Sequence, residues 1–241
     1  MKNLIRAEFT KLLTTRGAAG ILLGATAISV VAYVAPGENA VAELTKPLYE
    51  QQSFFFAAVL MRVLLLVLGI RAVTEELRHG TVTPSLLAAP RRGRLVAAKV
   101  ASLAAGGAVI GLVAGAALVG SALAVAAVNG AELQISASDW STFAGMTFAG
   151  AVWPVMGAGL GLIVRSQVAA TVGGLVWLMA IEDMIRIRLD DLGGYLPGQA
   201  GLGLVHASTE TALAGAGLVL ATYAAAAVVG GAFLFRRRDV T

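Results

Sequence analysis

Long apolar stretches separated by short polar segments recur along the whole chain. A helix that crosses a bilayer needs about 20 apolar residues, and six stretches come close to that length or exceed it. They run from Ala18 to Ala35, Ser53 to Val73, Val100 to Val128, Phe143 to Val164, Val168 to about Ile187 and Ala212 to Phe235. The third is long enough to tilt or to project beyond the bilayer. The pattern predicts an all-α integral membrane protein with six transmembrane helices in one domain, residues 1–241.

The composition agrees with this prediction and excludes other classes of protein. Hydrophobic residues make up 58% of the chain and charged residues 13%, against about 25% charged residues in soluble domains. So few charged side chains cannot cover a soluble globule, and so many apolar residues exclude disorder. The chain has no cysteine, which excludes disulfides, thiol catalysis and cysteine metal sites.

The basic residues are concentrated on one side of the predicted membrane. With a cytoplasmic N-terminus, the inner segments hold most of the 18 lysines and arginines, and the outer segments hold only Lys46, Arg186 and Arg188. Cytoplasmic loops carry an excess of basic residues, so both termini are expected in the cytoplasm. A signal peptide cleaved near residues 40–42 is the rival interpretation, but the first apolar stretch exceeds the usual core of about 7–15 residues.

The first 16 residues have an amphipathic pattern. Basic and hydroxyl side chains lie mostly opposite an apolar face on a helical wheel. That face consists of Leu4, Ile5, Phe9, Leu12 and Leu13. The pattern predicts a short helix over residues 1–16 in the cytoplasmic membrane interface. The alternative is a cytoplasmic extension of the first span.

Glycines at helical spacing predict close packing of the spans. The third span carries Gly107, Gly111 and Gly115 on one face, and the fourth carries Gly157 and Gly161. Helices in lipid associate through close approach of their backbones, which small residues permit. We therefore expect a tightly packed bundle.

The cytoplasmic loop between the second and third spans, residues 74–99, contains signals for a separate short helix. The second helix can continue to about His79, where Gly80 is suited to end it. Thr83 can cap a new helix that has Pro84 at its first position, and Pro90 ends that helix. The result is a short capped helix below the membrane.

The short helix exposes Leu86 and Leu87, which suits docking of a cytoplasmic partner. The alternative is a loop that faces lipid and binds anionic headgroups through its basic side chains. Those side chains, which also serve the positive-inside rule, are Arg91, Arg92, Arg94 and Lys99.

Three fragments, in their order within six spans, resemble the ABC-2 type permeases of ATP-binding-cassette exporters. The nearest likeness is to the small half-permeases of bacterial antibiotic-resistance and immunity systems. The fragments are Glu8-Phe-Thr-Lys11-Leu12 with Thr14-Thr15-Arg16, the loop pattern Glu75…Gly80-Thr81…Leu86-Leu87…Pro90…Arg94…Lys99, and the terminal Arg236-Arg237-Arg238-Asp239.

This resemblance implies a fold and a set of partners. The fold is the ABC-2, type V exporter-like permease fold, with a re-entrant segment over residues 184–211 that breaks at Gly193-Gly194, Pro197-Gly198 and Gly201. Two permease copies, as a homodimer or with a sister permease, would assemble with two ATPase subunits in the bacterial cell membrane. ATP and Mg²⁺ would bind the ATPase, so the chain itself is expected to be neither an enzyme nor a cofactor carrier.

The resemblance also implies site residues in the first cytoplasmic loop. Its coupling helix would sit in a cleft of the ATPase, with Leu86 and Leu87 as the docking contact and Glu75 and Glu76 as charged rim contacts. The full set of implied coupling residues is Glu75, Glu76, His79, Gly80, Thr81, Leu86, Leu87 and Pro90.

Charges inside the predicted spans are candidates for the translocation pathway. Arg62 lies near the middle of the second span, where an unpaired charge costs about 2.5–3.5 kcal/mol. Glu182 and Asp183 lie in the outer third of the fifth span. In the resembled family these two spans line the central cavity, so Arg62 and Glu182 would approach each other there.

Structural roles remain open for the same charges. Arg62 can form an ion pair between helices or extend its side chain to the outer interface. Glu182, Arg186 and Asp190 have the i, i+4, i+8 spacing of an ion-pair ladder on one helix face. The alternative function is an ion- or proton-coupled secondary transporter or channel that uses Glu182 and Asp183.

Several catalytic and binding motifs are absent from the sequence. The chain has no G-x-x-x-x-G-K-[ST] phosphate loop and no G-x-S-x-G nucleophile motif. An isolated E-x-x-H lacks the first histidine of a zinc-protease helix, so no metal site is expected. The basic loop has no interleaved aromatic residues, so nucleic acid is not an expected partner, whereas membrane lipid is.

Overall fold

The computed structural model describes most of the chain, and all the regular secondary structure in that part is helical. The described residues are 2–14, 16–34, 44, 46, 50–78, 92–131, 137–207 and 209–237. The principal helices are α1 (Lys2–Thr14), α2 (Arg16–Val34), α3 (Gln52–Arg78), α4 (Arg92–Asn129), α5 (Ala137–Val164), α6 (Gln167–Val176), a π-helical turn (Trp177–Ile181), α7 (Glu182–Arg188), α8 (Asp190–Gly193), α9 (Pro197–Val205) and α10 (Glu210–Arg237).

In the described part of the chain, six helical segments are long and apolar enough to cross a membrane, which confirms the predicted all-α class with six candidate spans. Five of them lie in α2, α3, α4, α5 and α10. The remaining segment, which is the fifth span along the chain, runs without interruption through α6, the π-helical turn and α7, from Gln167 to Arg188. The chain is therefore a multi-pass helical membrane protein.

Two helices extend further than their apolar stretches. The second stretch ends at Val73 but α3 continues to Arg78, and α4 begins at Arg92, before the third stretch. With 38 residues, α4 is about 57 Å long, nearly twice the hydrocarbon thickness of about 30 Å. The ends of α3 and α4 that flank residues 79–91 therefore extend beyond the apolar stretches and carry charged side chains, among them Glu75, Glu76, Arg78 and Arg94.

The central helix of the bundle is α5, which packs against α3, α4 and α10. Its close contacts confirm the predicted glycine row. A Cβ at Gly107 would overlap the Gly150 carbonyl, and one at Gly111 would lie 2.7 Å from Met146 O. Gly157 meets the backbone of α3 at Leu66 in the same way. Any larger residue at these glycines would separate the helices.

Tight local signals join α5 to α6. Arg165 has a left-handed conformation, with φ 58°, and thereby ends α5. Ser166 then caps α6 by accepting a hydrogen bond from Ala169 N. This two-residue connection makes α5 and the fifth span neighbours that run in opposite directions.

The segment after the fifth span folds into the short helices α8 and α9. The chain turns at residues 194–195, as expected from Gly193-Gly194, and Pro197 begins α9. The expected break at Gly201 is wrong, because Gly201 lies within α9. A Cβ there would be 3.1 Å from Trp153 Nε1, so close packing against α5 accounts for this glycine.

The first two helices are α1, over Lys2–Thr14, and α2, over Arg16–Val34. The helix α1 packs on α4, where Leu12 occupies the space above Gly106. A second close contact of α1 is polar and involves Glu8 and Lys11.

Candidate functional site

A cluster of two acids and two lysines joins α1 to α3 and α4. We call Glu8, Lys11, Glu76 and Lys99 the charged cluster. Lys99 Nζ donates to Glu8 Oε2 at 2.7 Å and to the Ala72 carbonyl at 3.2 Å, and lies 2.9 Å from Glu76 Oε1. Lys11 Nζ lies 2.8 Å from Glu8 Oε1 and 3.4 Å from Glu76 Oε1. Each lysine therefore bridges two carboxylates on different helices.

Burial makes this cluster stronger than a surface network. The side chain of Glu8 is 4% exposed and that of Lys99 is 12% exposed. Burial alone would raise the pKa of Glu8, but Lys99 and Lys11 outweigh it and hold that pKa below its ordinary value. Burial would lower the pKa of Lys11, yet Glu8 and Glu76 raise it. Glu8 and Lys11 thus remain ionised near neutral pH.

The cluster gives two sequence-predicted residues a new environment. Glu76, expected as a rim contact for a partner, and Lys99, expected to meet lipid, bind each other at the end of the bundle. Glu75 instead pairs with Arg71 one turn away, with 2.6 Å between Arg71 Nη2 and Glu75 Oε1, and both are 40% exposed. Sequence reasoning missed Glu8 as a site residue, although the Glu8-to-Lys11 spacing of i, i+3 was a visible signal.

The remaining loop residues are placed only in part. Arg94 is exposed near the start of α4, and Arg92 begins that helix. The other predicted loop residues lie outside the described part of the chain. They are His79, Gly80, Thr81, Leu86, Leu87, Pro90 and Arg91.

A second candidate site lies inside the spans, where Arg62 of α3 and Glu182 of α7 meet on either side of Gly198. We call these three residues the buried polar centre. Arg62 Nη1 donates to Gly198 O at 3.1 Å, and the Gly198 amide donates to Glu182 Oε1 at 3.0 Å. Arg62 is 7% exposed and Glu182 is fully buried. The expected approach of Arg62 to Glu182 therefore occurs through the backbone N–H and C=O of Gly198 in α9.

The π-helical turn orients Glu182. The backbone amide of Glu182 donates a hydrogen bond to Trp177 O, five residues earlier. This spacing places Trp177 and Glu182 on one face of the helix. The indole Nε1 of Trp177 then donates to Glu182 Oε1 at 2.7 Å. Such π-helical turns occur frequently at functional sites. Trp177 and Gly198 were missed as site residues, although Pro197-Gly198 was identified as a break in the chain.

Glu182 caps the first turn of α9. The first turn of a helix has amide groups without intrahelical partners, and a carboxylate there is stabilised by the helix dipole. Pro197 at the first position has no amide hydrogen, so Gly198 supplies a free donor. In the described part of the chain, Glu182 Oε2 and Arg62 Nε are buried without hydrogen-bond partners. The centre thus has unused capacity to accept and to donate.

Asp183 and Arg186 lie at the edge of this centre. Asp183 Oδ1 accepts a hydrogen bond of 3.4 Å from Gln199 and lies 3.8 Å from Arg186 Nε. Arg186 therefore contacts Asp183, while Glu182 points into the bundle. The ladder expected from the i, i+4 spacing does not begin at Glu182, because the π-helical turn aims that side chain at α9.

Comparison with protein-family models and with curated protein sequences finds no match for this chain.

Proposed function

We propose that this protein is the permease subunit of an ATP-driven exporter and that residues 79–91 dock onto a separate ATPase. The observation that carries the proposal is the charged cluster. It fastens α1 to α3 and α4, the two helices that flank the docking segment. A force applied to that segment would therefore move three helices together.

In the proposed mechanism, the ends of α3 and α4 that flank residues 79–91 act as a lever. Closure of the ATPase pair on ATP would displace residues 79–91, with Leu86 and Leu87 as the docking contact. The helices would then shift between inward- and outward-facing arrangements, a population shift driven by nucleotide binding. Glu76 and Lys99 would transmit the movement to α1.

The buried polar centre would lie on the translocation pathway. Arg62 and Glu182 hold α9 against α3 and α7, so α9 must leave them if the pathway is to open beside it. In this proposal residues 184–211 are the re-entrant outer segment, and α1 lies in the cytoplasmic interface. Both termini are cytoplasmic, and the assembly is two permease chains with two ATPases in the bacterial plasma membrane.

A pull-down from the native host tests the proposal. The tagged chain is extracted in mild detergent, and mass spectrometry is used to look for a soluble protein with an ATP-binding phosphate loop. We expect near-stoichiometric recovery from the unsubstituted chain and loss of that protein when Leu86 and Leu87 are replaced by Asp. Replacing the exposed Arg94 by Asp is the matched control for added negative charge. Recovery without an ATPase, under conditions that preserve transporter complexes, would refute the proposal.

A second candidate function is ion- or proton-coupled transport. The observation that favours it is the buried, unpartnered Oε2 of Glu182, since carboxylates within spans often mark proton pathways. Purified protein in vesicles separates the two functions. Proton flux that needs no ATPase and is abolished by Glu182→Gln would support the second candidate, and proton flux that is unchanged in Glu182→Gln would count against a role for this carboxylate.

A further inference from the structure

A cavity of about 450 Å³ lies between α1, α2, α3 and α4, beside the charged cluster. Its volume is within the range of about 300–1,000 Å³ that is typical of small-molecule sites. One part of the wall is apolar and includes Leu12, Ile21, Leu68 and Leu103. The other part carries charged side chains. A cavity with this division suits an amphiphile better than a uniformly polar or apolar ligand.

The charges of the wall differ in how available they are. Lys99 is nearly buried and already binds two carboxylates and a carbonyl. Lys11, Arg71 and Glu75 are 49%, 40% and 40% exposed. Among the described residues, the more exposed charges of the wall are therefore two cations and one anion. Arg71 pairs with Glu75, and Lys11 contacts Glu8 and Glu76, so a ligand would have to share these groups with their present partners. The Arg71 guanidinium lies against Gly17 at the start of α2, where a Cβ would be 3.4 Å from Nη2.

We propose that this cavity binds one phosphatidylethanolamine molecule. The phosphate would bind Arg71 and Lys11, since guanidinium groups match phosphate oxygens in charge and geometry. The primary ammonium would donate to Glu75, and the acyl chains would run along the partly exposed Leu12 and Ile21. Both signs of charge are thus matched by one headgroup. This inference needs only a membrane-spanning chain, so it does not depend on coupling to an ATPase.

The same charges discriminate among headgroups. Phosphatidylglycerol has the phosphate but no cation. It would leave the Glu75 carboxylate close to the negatively charged phosphate with no ammonium group between them. Phosphatidylcholine has a cation, but its quaternary nitrogen carries no hydrogen to donate to a carboxylate. One charge-assisted hydrogen bond corresponds to a preference of about tenfold.

Native mass spectrometry of the purified full chain tests the proposal. Dioleoyl lipids with ethanolamine, choline and glycerol headgroups are titrated separately, and binding of the first lipid molecule is compared. We expect the lipid with the ethanolamine headgroup to bind about tenfold more tightly than the lipids with choline and glycerol headgroups. Gly17→Leu would place a side chain against the Arg71 guanidinium in the cavity wall and remove this preference. Gly20→Leu is its matched control, because a Cβ at Gly20 meets nothing within 4 Å.

Two further variants test the charges without filling the cavity. Arg71→Gln should weaken ethanolamine lipid binding, and Glu75→Gln should abolish the preference over the glycerol headgroup. The Arg71–Glu75 pair is exposed, and exposed ion pairs contribute little to folding, so both variants should fold even if Gly17→Leu does not. Equal binding of the three lipids, tighter binding of the glycerol lipid, or an undiminished preference in Glu75→Gln would each overturn the proposal.

Discussion

Replacing Gly198 with alanine should separate α9 from the buried polar centre. A Cβ at Gly198 would overlap the Glu182 carboxylate and lie 3.0 Å from Arg62 Nη1. Both side chains have flexible ends and can move aside. Moving them, however, breaks the bond from the Gly198 amide to Glu182 and the bond from Arg62 to the Gly198 carbonyl. The variant thus removes two polar contacts by adding one methyl group.

The size of the effect follows from those two bonds. Polar contacts between helices in membrane bundles contribute about 0.6 kcal/mol on average, and hydrogen bonds to charged groups contribute about 1.5 kcal/mol or more. Two such bonds give a loss of about 1 to 3 kcal/mol in the free energy that holds α9 in place. This range corresponds to an increase of about 5- to 150-fold in the open population.

Cysteine labelling measures that population directly. The chain has no cysteine, so a single Ala200→Cys reports on α9 alone. Ala200 is 2% exposed, and its thiol can react with a maleimide only when the helix opens. When closing is faster than labelling, the labelling rate is proportional to the open population. We expect Gly198→Ala to raise this rate about 5- to 150-fold.

Two controls distinguish local opening from general loosening. Gly194→Ala is the matched glycine variant, since a Cβ there meets nothing within 4 Å and its φ of −63° suits alanine. Ala98→Cys, buried in α4, reports on the rest of the bundle. Equal labelling of Ala200→Cys in the Gly198→Ala and Gly194→Ala backgrounds would refute the reasoning. Faster labelling at position 98 would show that the whole bundle had loosened.

Three more predictions concern the charged cluster and the helix packing. Lys99→Met should lower the unfolding free energy by about 3 kcal/mol, because Lys99 is the partner of Oε2 of the buried Glu8, whereas the half-exposed Lys11→Met should cost no more than about 1 kcal/mol. Titration with a denaturing detergent measures both. The pKa of Glu8 is lowered from 4.5, so ionised Glu8 should stabilise the protein above about pH 4.5. This stabilisation should be lost as the pH falls through the lower pKa of the folded state. Melting curves from about pH 7 to pH 3 should show the loss, and this part of the pH dependence should be absent from Glu8→Gln. Gly107→Ala should cost about 1–3 kcal/mol by the same detergent titration, because the methyl group would overlap a carbonyl of α5, while Gly120→Ala, in open space, should change stability by less than about 0.5 kcal/mol.

The local signals of the sequence predicted several contacts correctly. The glycine row of the third span predicted close packing, and Gly107 and Gly111 do meet the α5 backbone. The approach of Arg62 to Glu182 was also expected, but the role of the Gly198 backbone between them was not. Gly198 is 16 residues from Glu182 and 136 from Arg62, and no local pattern links positions so far apart. The π-helical turn that aims Glu182 inward likewise has no periodic signature in the sequence.

The sequence by itself determined the class of protein, the six spans and the faces along which they pack. These properties depend on the length of each apolar stretch and on the size of the residues along it, and both can be read from the local sequence. Only the tertiary structure decided how the charges are used. Lys99 could meet lipid or a carboxylate with equal ease on local grounds, and α1 supplies Glu8 from 91 residues away. A charge in an apolar environment takes the partner that the fold brings within reach, and that partner is determined by the packing of the whole bundle.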